Sequence, residues 1–231
     1  MGGLNVKNTM IEALLQKVAP HPCFGCAKMG TPLCDNCKYD IISEPFSGCV
    51  LCGNVAPEGI CAQHDVPICK AWVVSERLTV LKRVIDAYKF EHVKAASDSL
   101  ADLLDGRLPL LPENTVIVPI PTASSHIRQR GYDHIDILAR LLAKRREVPV
   151  AYLLERSSNT TQHRLNKSER QQEASGAFQI TKDVTIDPDT PLLIIDDIIT
   201  TGSTISSAAK ALTNAGVKTV FVAALAYQPL D

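Results

Sequence analysis

The chain has 231 residues, 45% of them hydrophobic, and a formal net charge of -1 at pH 7. This length fits one ordinary domain plus a small accessory domain. The charge excludes a polycation, so any affinity for nucleic acid would need a local basic patch. No run approaches the roughly 20 apolar residues of a membrane-spanning helix, and we expect a cytoplasmic protein without membrane insertion.

Three segments differ in composition along the chain. Residues 1–20 predict a short amphipathic helix, because polar residues interrupt the apolar stretch and make it too polar for a signal-peptide core. Residues 21–70 are rich in Cys, Pro and Gly and predict a small cysteine-rich domain. Residues 71–231 contain the long regular stretches and predict a larger domain.

All eight cysteines lie between Cys23 and Cys69. Without an export signal, paired cysteines favour metal binding over disulfides. A turn with two residues between the paired ligands lets both bind one tetrahedral zinc ion. Four protein ligands per ion predict a structural rather than a catalytic zinc. The candidate ligands form four pairs with two residues between partners: Cys23 and Cys26, Cys34 and Cys37, Cys49 and Cys52, and Cys61 and His64.

The number of metal ions and the combination of these four pairs stay open at this point. Eight ligands suit two zinc ions, and one structural zinc is the lower bound. The alternative is a set of reduced thiols without metal. Cys69 is left over, and we expect a small buried residue or a substitute ligand there.

Regular periodicity begins after residue 70. Apolar residues at three- and four-residue steps predict helices, and short apolar runs predict buried strands. The predicted helices are 77–104 (one or two helices), 132–146 and 204–215, and the predicted strands are 115–121, 192–195 and 217–226. This alternation predicts an α/β domain with a mainly parallel sheet.

The most informative stretch is LLIIDDIITTGST at residues 192–204. A buried strand leads to two adjacent carboxylates, which suit hydroxyl groups or a Mg²⁺ ion. Hydroxyl residues and a glycine follow at a helix N-terminus, where free N–H groups favour phosphate. This pattern predicts a ligand with a phosphate and a sugar diol, bound at the carboxyl edge of the sheet. The candidate residues are Asp196, Asp197, Thr200, Thr201, Gly202, Ser203 and Thr204.

This stretch resembles, position by position, the phosphoribosyl-diphosphate (PRPP) signature of type I phosphoribosyltransferases. The resemblance implies the type I phosphoribosyltransferase fold, with PRPP and Mg²⁺ as ligands. It also implies that Asp196 and Asp197 contact the ribose hydroxyls while residues 200–204 hold the 5′-phosphate. Thr200 stands where hypoxanthine-type enzymes carry an aspartate that acts as a base, which disfavours a role in purine salvage.

Two further segments resemble parts of the same active site. The resemblance assigns the diphosphate to Pro121, Thr122, Arg128 and Arg130, and arginines suit such a group because they bind it in a bidentate manner. Residues 155–178 are long and polar, and the resemblance implies a hood that closes over the ribose and excludes water. The alternatives are a proline-containing turn with solvated arginines and a flexible linker. The candidate hood residues are Gln162, Arg164 and Arg170.

The whole pattern is similar to the ComF family of competence-associated proteins. This resemblance implies a zinc domain before a phosphoribosyltransferase domain, and a role in the uptake of single-stranded DNA. Two positions depart from the family, because His64 stands where cysteine is usual and Glu173 where asparagine is common. The resemblance rests on VPIP at 118–121, RGY at 130–132, GAF at 176–178, the PRPP loop and the cysteine pairs.

Three functions are compatible with these features. The first is transfer of the phosphoribosyl group to an acceptor through an oxocarbenium-like state, although the sequence identifies neither the acceptor nor a catalytic base. The second is a DNA-uptake accessory that binds PRPP without turnover, with single-stranded DNA or the competence machinery as partner. The third is a PRPP-sensing regulator of transcription. The basic run 144–146 suits a solvated helix end or a DNA backbone, and the helix end is favoured.

Overall fold

The computed structural model describes residues 20–157 and 177–229. The predicted N-terminal helix, residues 1–20, lies outside this part except for its last residue. In chain order the helices and strands are α1 (Asp35–Ser43), β1 (Lys70–Glu76), α2 (Thr79–Phe90), α3 (Ala96–Arg107), β2 (Val116–Pro119), α4 (Ser124–Arg130), α5 (His134–Arg146), β3 (Leu154–Arg156), β4 (Phe178–Ile180), β5 (Leu192–Ile199), α6 (Ser203–Asn214) and β6 (Val220–Tyr227). None of these helices has the length and apolar character needed to traverse a bilayer.

Four strands form one parallel sheet in the order β1-β6-β5-β2. The central strands β5 and β6 are almost completely buried, as expected for a parallel sheet covered on both faces. Strands β3 and β4 form a separate antiparallel pair. The predicted α/β architecture with a mainly parallel sheet is confirmed.

Alternate residues of the sheet face two separate hydrophobic cores. On one face, Leu193 and Ile195 of β5 pack with residues of α2, α3 and α5. On the other face, Leu192 and Ile194 pack with residues of α6 and of the β3–β4 pair. The domain therefore has three layers, and the carboxyl ends of its four parallel strands lie at one edge of the sheet.

The cysteine-rich segment joins both cores. Cys23, Leu33 and Cys37 belong to the core that contains α2 and α3. Val50 belongs to the core on the opposite face, and Leu51 packs against that core. The two halves of the segment are therefore attached to different faces of the sheet, and the domain boundary at residue 70 stays a prediction.

Both edges of the sheet are partly covered. Beside β1, Phe46 pairs with Val73 in an isolated antiparallel bridge. Beside β2, the Ile117 N–H donates to the Pro149 carbonyl and the Ala151 N–H donates to the Ile117 carbonyl, both at 2.9 Å. These short segments occupy hydrogen-bonding groups that an edge strand otherwise leaves free.

Strand β5 is longer than predicted. The sequence predicts its end at Ile195, but the strand continues through both aspartates to Ile199. The extension follows from pairing, because Asp196 lies beside Ala224 of β6. The carboxylates are thus held by the sheet. Periodicity also misses β1, α4 and the β3–β4 pair, whereas residues 77–104 fold as the two helices α2 and α3.

The basic run at the end of α5 joins two helices. Arg145 pairs with acidic residues of α3. Arg146 pairs with Asp105 of α3. The Arg146 guanidinium also donates to the carbonyls of Leu108 and Pro109, at 2.9 and 2.7 Å. The favoured interpretation as a solvated helix end is therefore wrong for these two arginines, and the same contacts disfavour their use for a DNA backbone.

We expect Arg146→Ala to lower the free energy of unfolding by about 1–3 kcal/mol, because it leaves Asp105 and two carbonyl groups without their charged donor. Urea denaturation measures this change. Arg140→Ala is the matched control, since Arg140 also lies on α5 but its side chain is 57% exposed. We expect about 0.5 kcal/mol or less for the control. Equal losses in both variants would contradict the interhelix role of Arg146.

Candidate functional site

The two adjacent aspartates of β5 differ in their surroundings. Successive residues of a strand point to opposite faces of a sheet. Asp197 is 5% exposed and contacts side chains from α2 and α5. Asp196 is partly exposed. The pair therefore consists of one buried and one accessible carboxylate.

Two side chains from distant parts of the chain hold Asp197. Lys89 Nζ, near the end of α2, lies 2.8 Å from Asp197 Oδ2. His134 Nε2, at the start of α5, lies 2.7 Å from the same oxygen. Arg130 Nη1 lies 2.9 Å from His134 Nδ1. The same Nη1 lies 3.2 Å from His134 Nε2, so the imidazole is held between the Arg130 guanidinium and the Asp197 carboxylate.

These contacts separate the pKa values of the two carboxyl groups. Burial opposes ionisation of Asp197, but the His134 hydrogen bond and the Lys89 charge outweigh it, so the pKa of Asp197 falls well below its ordinary value. Partial burial and the charge of Asp197 raise the pKa of Asp196 to about 7. At neutral pH Asp197 is therefore a fixed anion, while Asp196 exchanges between donor and acceptor forms.

The loop after β5 depends on one glycine. Gly202 has left-handed backbone angles, with φ 69° and ψ 3°, and is the N-cap residue of α6. Thr201 Oγ1 accepts from the Ser203 N–H at 3.3 Å and donates to Ser203 Oγ at 3.0 Å. Thr201 and Ser203 are exposed. Hydroxyl and N–H groups therefore lie together at this helix N-terminus, where an anion is favoured, and their role toward a phosphate stays a prediction.

A cavity of about 180 Å³ lies at the carboxyl edge of the sheet. It combines three basic side chains with two carboxylates, of which only Asp197 is fixed as an anion. The cavity therefore suits a polyanion that also carries hydroxyl groups. Its polar side chains are Lys89, Thr122, His126, Arg130, His134, Arg156, Asp196, Asp197 and Thr204.

Three of these residues carry little signal in the sequence: Lys89, His134 and Arg156. Lys89 lies in the last turn of α2, where a basic residue is ordinary, and His134 lies in the first turn of α5 without a recognisable motif. Arg156 ends β3, donates from Nε to the Pro121 carbonyl at 2.8 Å, and lies over the Phe178 ring. Only its position at the start of the predicted hood gives a hint of its place in the cavity.

The predicted diphosphate residues divide into two groups. Pro121, Thr122 and Arg130 line the cavity. Thr122 Oγ1 donates to Asp133, which caps the N-terminus of α5, at 2.8 Å. Arg128 is exposed on α4 and is not part of the cavity lining. The roles of all four residues stay predictions.

The predicted hood residues lie outside the described part of the chain: Gln162, Arg164 and Arg170. The strands on either side of that segment are described. Strands β3 and β4 pair, and the Ser157 N–H donates to the Ala177 carbonyl at 3.0 Å. The chain therefore leaves and re-enters the described structure next to Arg156 and the cavity.

The cysteine pairs come together as two clusters. In each cluster the four ligand atoms lie within 4.8 Å of one another. Each cluster combines neighbouring pairs, a choice that the sequence leaves open. Cys69 belongs to neither cluster and is exposed, so the expectation of a buried residue or substitute ligand is wrong. The first cluster is Cys23, Cys26, Cys34 and Cys37, and the second is Cys49, Cys52, Cys61 and His64.

Both clusters fit a tetrahedral zinc ion. With Zn–S bonds of about 2.3 Å, tetrahedral geometry places two thiolates about 3.8 Å apart. The Cys26 and Cys34 sulfurs lie 3.6 Å apart, and those of Cys52 and Cys61 lie 3.7 Å apart. His64 Nε2 is buried and has no hydrogen-bond partner among residues 20–157 and 177–229. Each donor set could hold one metal ion, and zinc is its predicted identity.

Most of the cavity residues lie in the part of the sequence that matches a known family model. Residues 107–231 match the family model of the phosphoribosyl transferase domain, which is more than half of the chain. The chain belongs to this family. Its phosphoribosyl transferase domain includes the aspartate pair, the loop after β5 and Arg156, whereas Lys89 and both cysteine clusters precede the matched residues.

Two relatives cover most of the chain beyond the phosphoribosyl transferase match. Competence protein F of Haemophilus influenzae is 29% identical in an alignment of length 214 that covers 84% of this chain and 90% of that protein. DNA utilization protein YhgH of Salmonella typhi is 27% identical in an alignment of length 205 that covers 82% of this chain and 88% of that protein. The chain is homologous to both, so the predicted relation to competence-associated proteins is confirmed.

Solved phosphoribosyl transferase structures superpose on part of the chain. Glutamine PRPP amidotransferase from B. subtilis has a TM-score of 0.40 and 16% identity, covering 55% of this chain and 25% of that one. Adenine phosphoribosyltransferase from Thermoanaerobacter pseudethanolicus has a TM-score of 0.37 and 15% identity, covering 60% and 84%. The family assignment follows from the sequence match over residues 107–231.

The raised pKa of Asp196 predicts a change of stability with pH. A carboxyl group whose pKa is higher in the folded than in the unfolded chain destabilises the fold increasingly as pH rises from about 4 to about 7. Asp196→Asn removes this ionisation. We therefore expect the variant to be more stable than the parent, with a larger gain at pH 8 than at pH 5.5, measured by urea denaturation. The exposed Asp183→Asn serves as control, and a gain of equal size at both pH values would refute the assignment.

Metal analysis tests the two clusters. We expect protein purified without chelators to hold one zinc ion in each cluster. Cys26→Ser and Cys52→Ser should each remove one of the two ions, since each substitution breaks one cluster. Mass spectrometry of the metal content measures both results. A single ion in the parent would mean that one cluster does not hold zinc. Loss of both ions from either variant would mean that the clusters are not independent sites.

Proposed function

We propose that the protein binds PRPP with Mg²⁺ in the cavity at the sheet edge and transfers its phosphoribosyl group to an acceptor. One observation carries this proposal. The cavity brings an aspartate pair, the start of helix α6 and three basic side chains together at the sheet edge, and all of these except Lys89 lie within the phosphoribosyl transferase domain. PRPP carries the phosphates, the diol and the leaving group that such a site would select.

The two aspartates would have different roles toward the ribose. Asp196 is accessible and can donate or accept a hydrogen bond, so it would bind a ribose hydroxyl directly. Asp197 would remain an anion because Lys89 and His134 hold it. The exposed hydroxyl and N–H groups of residues 200–204 would hold the 5′-phosphate.

The basic side chains would act on the diphosphate. Negative charge increases on this group as its bond to C1′ breaks, and Lys89, Arg130 and Arg156 would stabilise that charge. Mg²⁺, when bound, would supply further neutralisation of the diphosphate oxygens, and the accessible carboxylate of Asp196 offers the oxygen donor that this ion prefers. His134 is hydrogen bonded through both ring nitrogens. His134 would therefore not act as the base that removes a proton from the acceptor.

The names of the relatives favour a second candidate function. One relative is a competence protein and the other a DNA utilization protein, which supports PRPP binding without transfer in the handling of single-stranded DNA. The contacts of Arg145 and Arg146 with α3 argue against a DNA interface at that point. Release of pyrophosphate from PRPP in the presence of candidate acceptors distinguishes the two functions.

We expect calorimetry to detect PRPP binding by the zinc-loaded protein in the presence of Mg²⁺. Arg156→Ala should weaken binding about tenfold, because it removes a cation from the cavity wall. Arg128→Ala, an exposed arginine outside the lining, should change affinity by about twofold or less. Absence of PRPP binding by the parent protein would overturn the proposed function. A larger effect at Arg128 would instead support the prediction from the sequence.

A further inference from the structure

The second metal cluster lies directly against the loop after β5. Leu51 stands between the ligands Cys49 and Cys52 and contacts Gly202. A side-chain carbon at residue 202 would overlap Leu51 Cδ2 and would lie 3.0 Å from the Val50 carbonyl oxygen. Glycine is therefore needed at residue 202 for two reasons, its left-handed backbone and the space taken by the metal-binding turn.

The contact belongs to a larger buried interface. Val50 is fully buried in the same core as Ile199 and Ile205, which precede and follow the loop. The Val50 N–H donates to the Gly59 carbonyl at 2.9 Å. The turn between Cys49 and Cys52 thus belongs to the same core as the residues from which the loop begins and ends.

The carboxyl end of β6, beside the loop, also contacts the cysteine-rich segment. Phe46 stacks on Tyr227 of β6, with 4.3 Å between ring centroids. The neighbouring Gln228 N–H donates to the Ile199 carbonyl at 2.8 Å. The position of the second cluster and the position of the loop are therefore linked through packing on both sides of residue 202.

The first cluster occupies a different environment. Its buried ligands Cys23 and Cys37 belong to the core on the opposite face of the sheet, together with Leu81 and Leu100 of the helices. Two clusters of similar donors therefore lie on two sides of one sheet, and the second is the one packed against the loop through Leu51. The first cluster can serve as the control for the second.

A metal ion fixes the backbone between its ligands. Val50 and Leu51 are bracketed by Cys49 and Cys52, so four bonds to one ion restrict the turn that carries them. Without the ion, four ligand groups lose their common partner and this turn gains freedom. Leu51 and the Val50 carbonyl are then no longer held in one position beside Gly202.

We propose that metal in the second cluster positions the phosphate-binding loop, with Leu51 as the positioning residue. PRPP affinity then depends on the metal of the second cluster and is independent of the metal of the first. This inference rests on the proposed binding of PRPP. It adds control of the ligand site by metal supply, a property that neither the fold nor the aspartate pair implies.

The decisive experiment compares Cys52→Ser with Cys26→Ser, since both substituted residues are exposed cysteines of a cluster. Each full-length variant is analysed for zinc content and titrated with PRPP and Mg²⁺ by calorimetry. We expect both to lose one zinc ion. Cys52→Ser should bind PRPP about tenfold more weakly than the parent, and Cys26→Ser should stay within about twofold. Equal affinities, or equal losses, in the two variants would overturn the inference.

A second variant tests the contact while all metal ligands are kept. Leu51→Ala should retain both zinc ions and lose about fivefold in PRPP affinity, because the loop loses the side chain packed against Gly202. Val55→Ala is the control, since Val55 lies in the same segment and is 85% exposed. Unchanged affinity in Leu51→Ala would overturn the positioning role even if Cys52→Ser failed to fold.

Amide hydrogen exchange separates this inference from the proposed function. Faster exchange at residues 203–206 in Cys52→Ser, but not in Cys26→Ser, is expected whether or not PRPP binds. If the parent protein bound no PRPP and this difference appeared, the proposed function would fail while the coupling between cluster and loop stood. If the exchange rates matched, the coupling would fail independently of any ligand.

Discussion

A buried carboxylate must be compensated, and in this protein Asp197 is compensated by residues from two other parts of the fold. An ionised side chain with 5% exposure is costly unless charged or hydrogen-bonding groups surround it. Lys89 and His134 meet that need. Because they stand at the end of α2 and the start of α5, the pairing also brings two helix termini to the sheet edge. The walls of the cavity follow from this single requirement.

The network around Asp197 continues into the neighbouring structure. The Tyr88 hydroxyl donates to the His134 carbonyl at 2.8 Å, and His92 Nδ1 lies 3.0 Å from the Arg130 carbonyl. The helix ends that carry Lys89 and His134 are therefore joined to each other as well as to the strand. A ligand entering this site meets a charge arrangement that is already assembled, which reduces the reorganisation needed on binding.

The sequence predicts those parts of the site that are contiguous. The strand, both aspartates, the hydroxyl-rich loop and the helix follow one another within 13 positions of LLIIDDIITTGST, so local chemistry is enough to recognise them. His134 meets Asp197 across 63 positions, and no local pattern reports such a pairing. The end of β5 was also beyond local reasoning, because hydrogen bonding to β6 extends a strand past polar residues.

The metal ligands illustrate the same limit. Spacing selects all eight residues that the structure gathers into the two clusters, since a turn with two intervening residues is a local feature. The combination of pairs into clusters depends on the path of the chain between them, which spacing does not define. Attachment of the two clusters to opposite faces of the sheet is a tertiary result, as is the contact between Leu51 and Gly202.

The coverage of the sheet edges limits how other molecules can recognise this protein. Many partners bind by β-augmentation, in which a guest strand adds to a free sheet edge through main-chain hydrogen bonds. At the β1 edge, Phe46 pairs with Val73, and Arg107 Nε donates to the Val73 carbonyl. At the β2 edge, residues 149–151 hydrogen bond to the backbone N–H and carbonyl of Ile117. The wholly apolar strand VFVAALAY lies between neighbours on both sides. Self-association through the edges of the four-stranded sheet is thereby resisted at these positions.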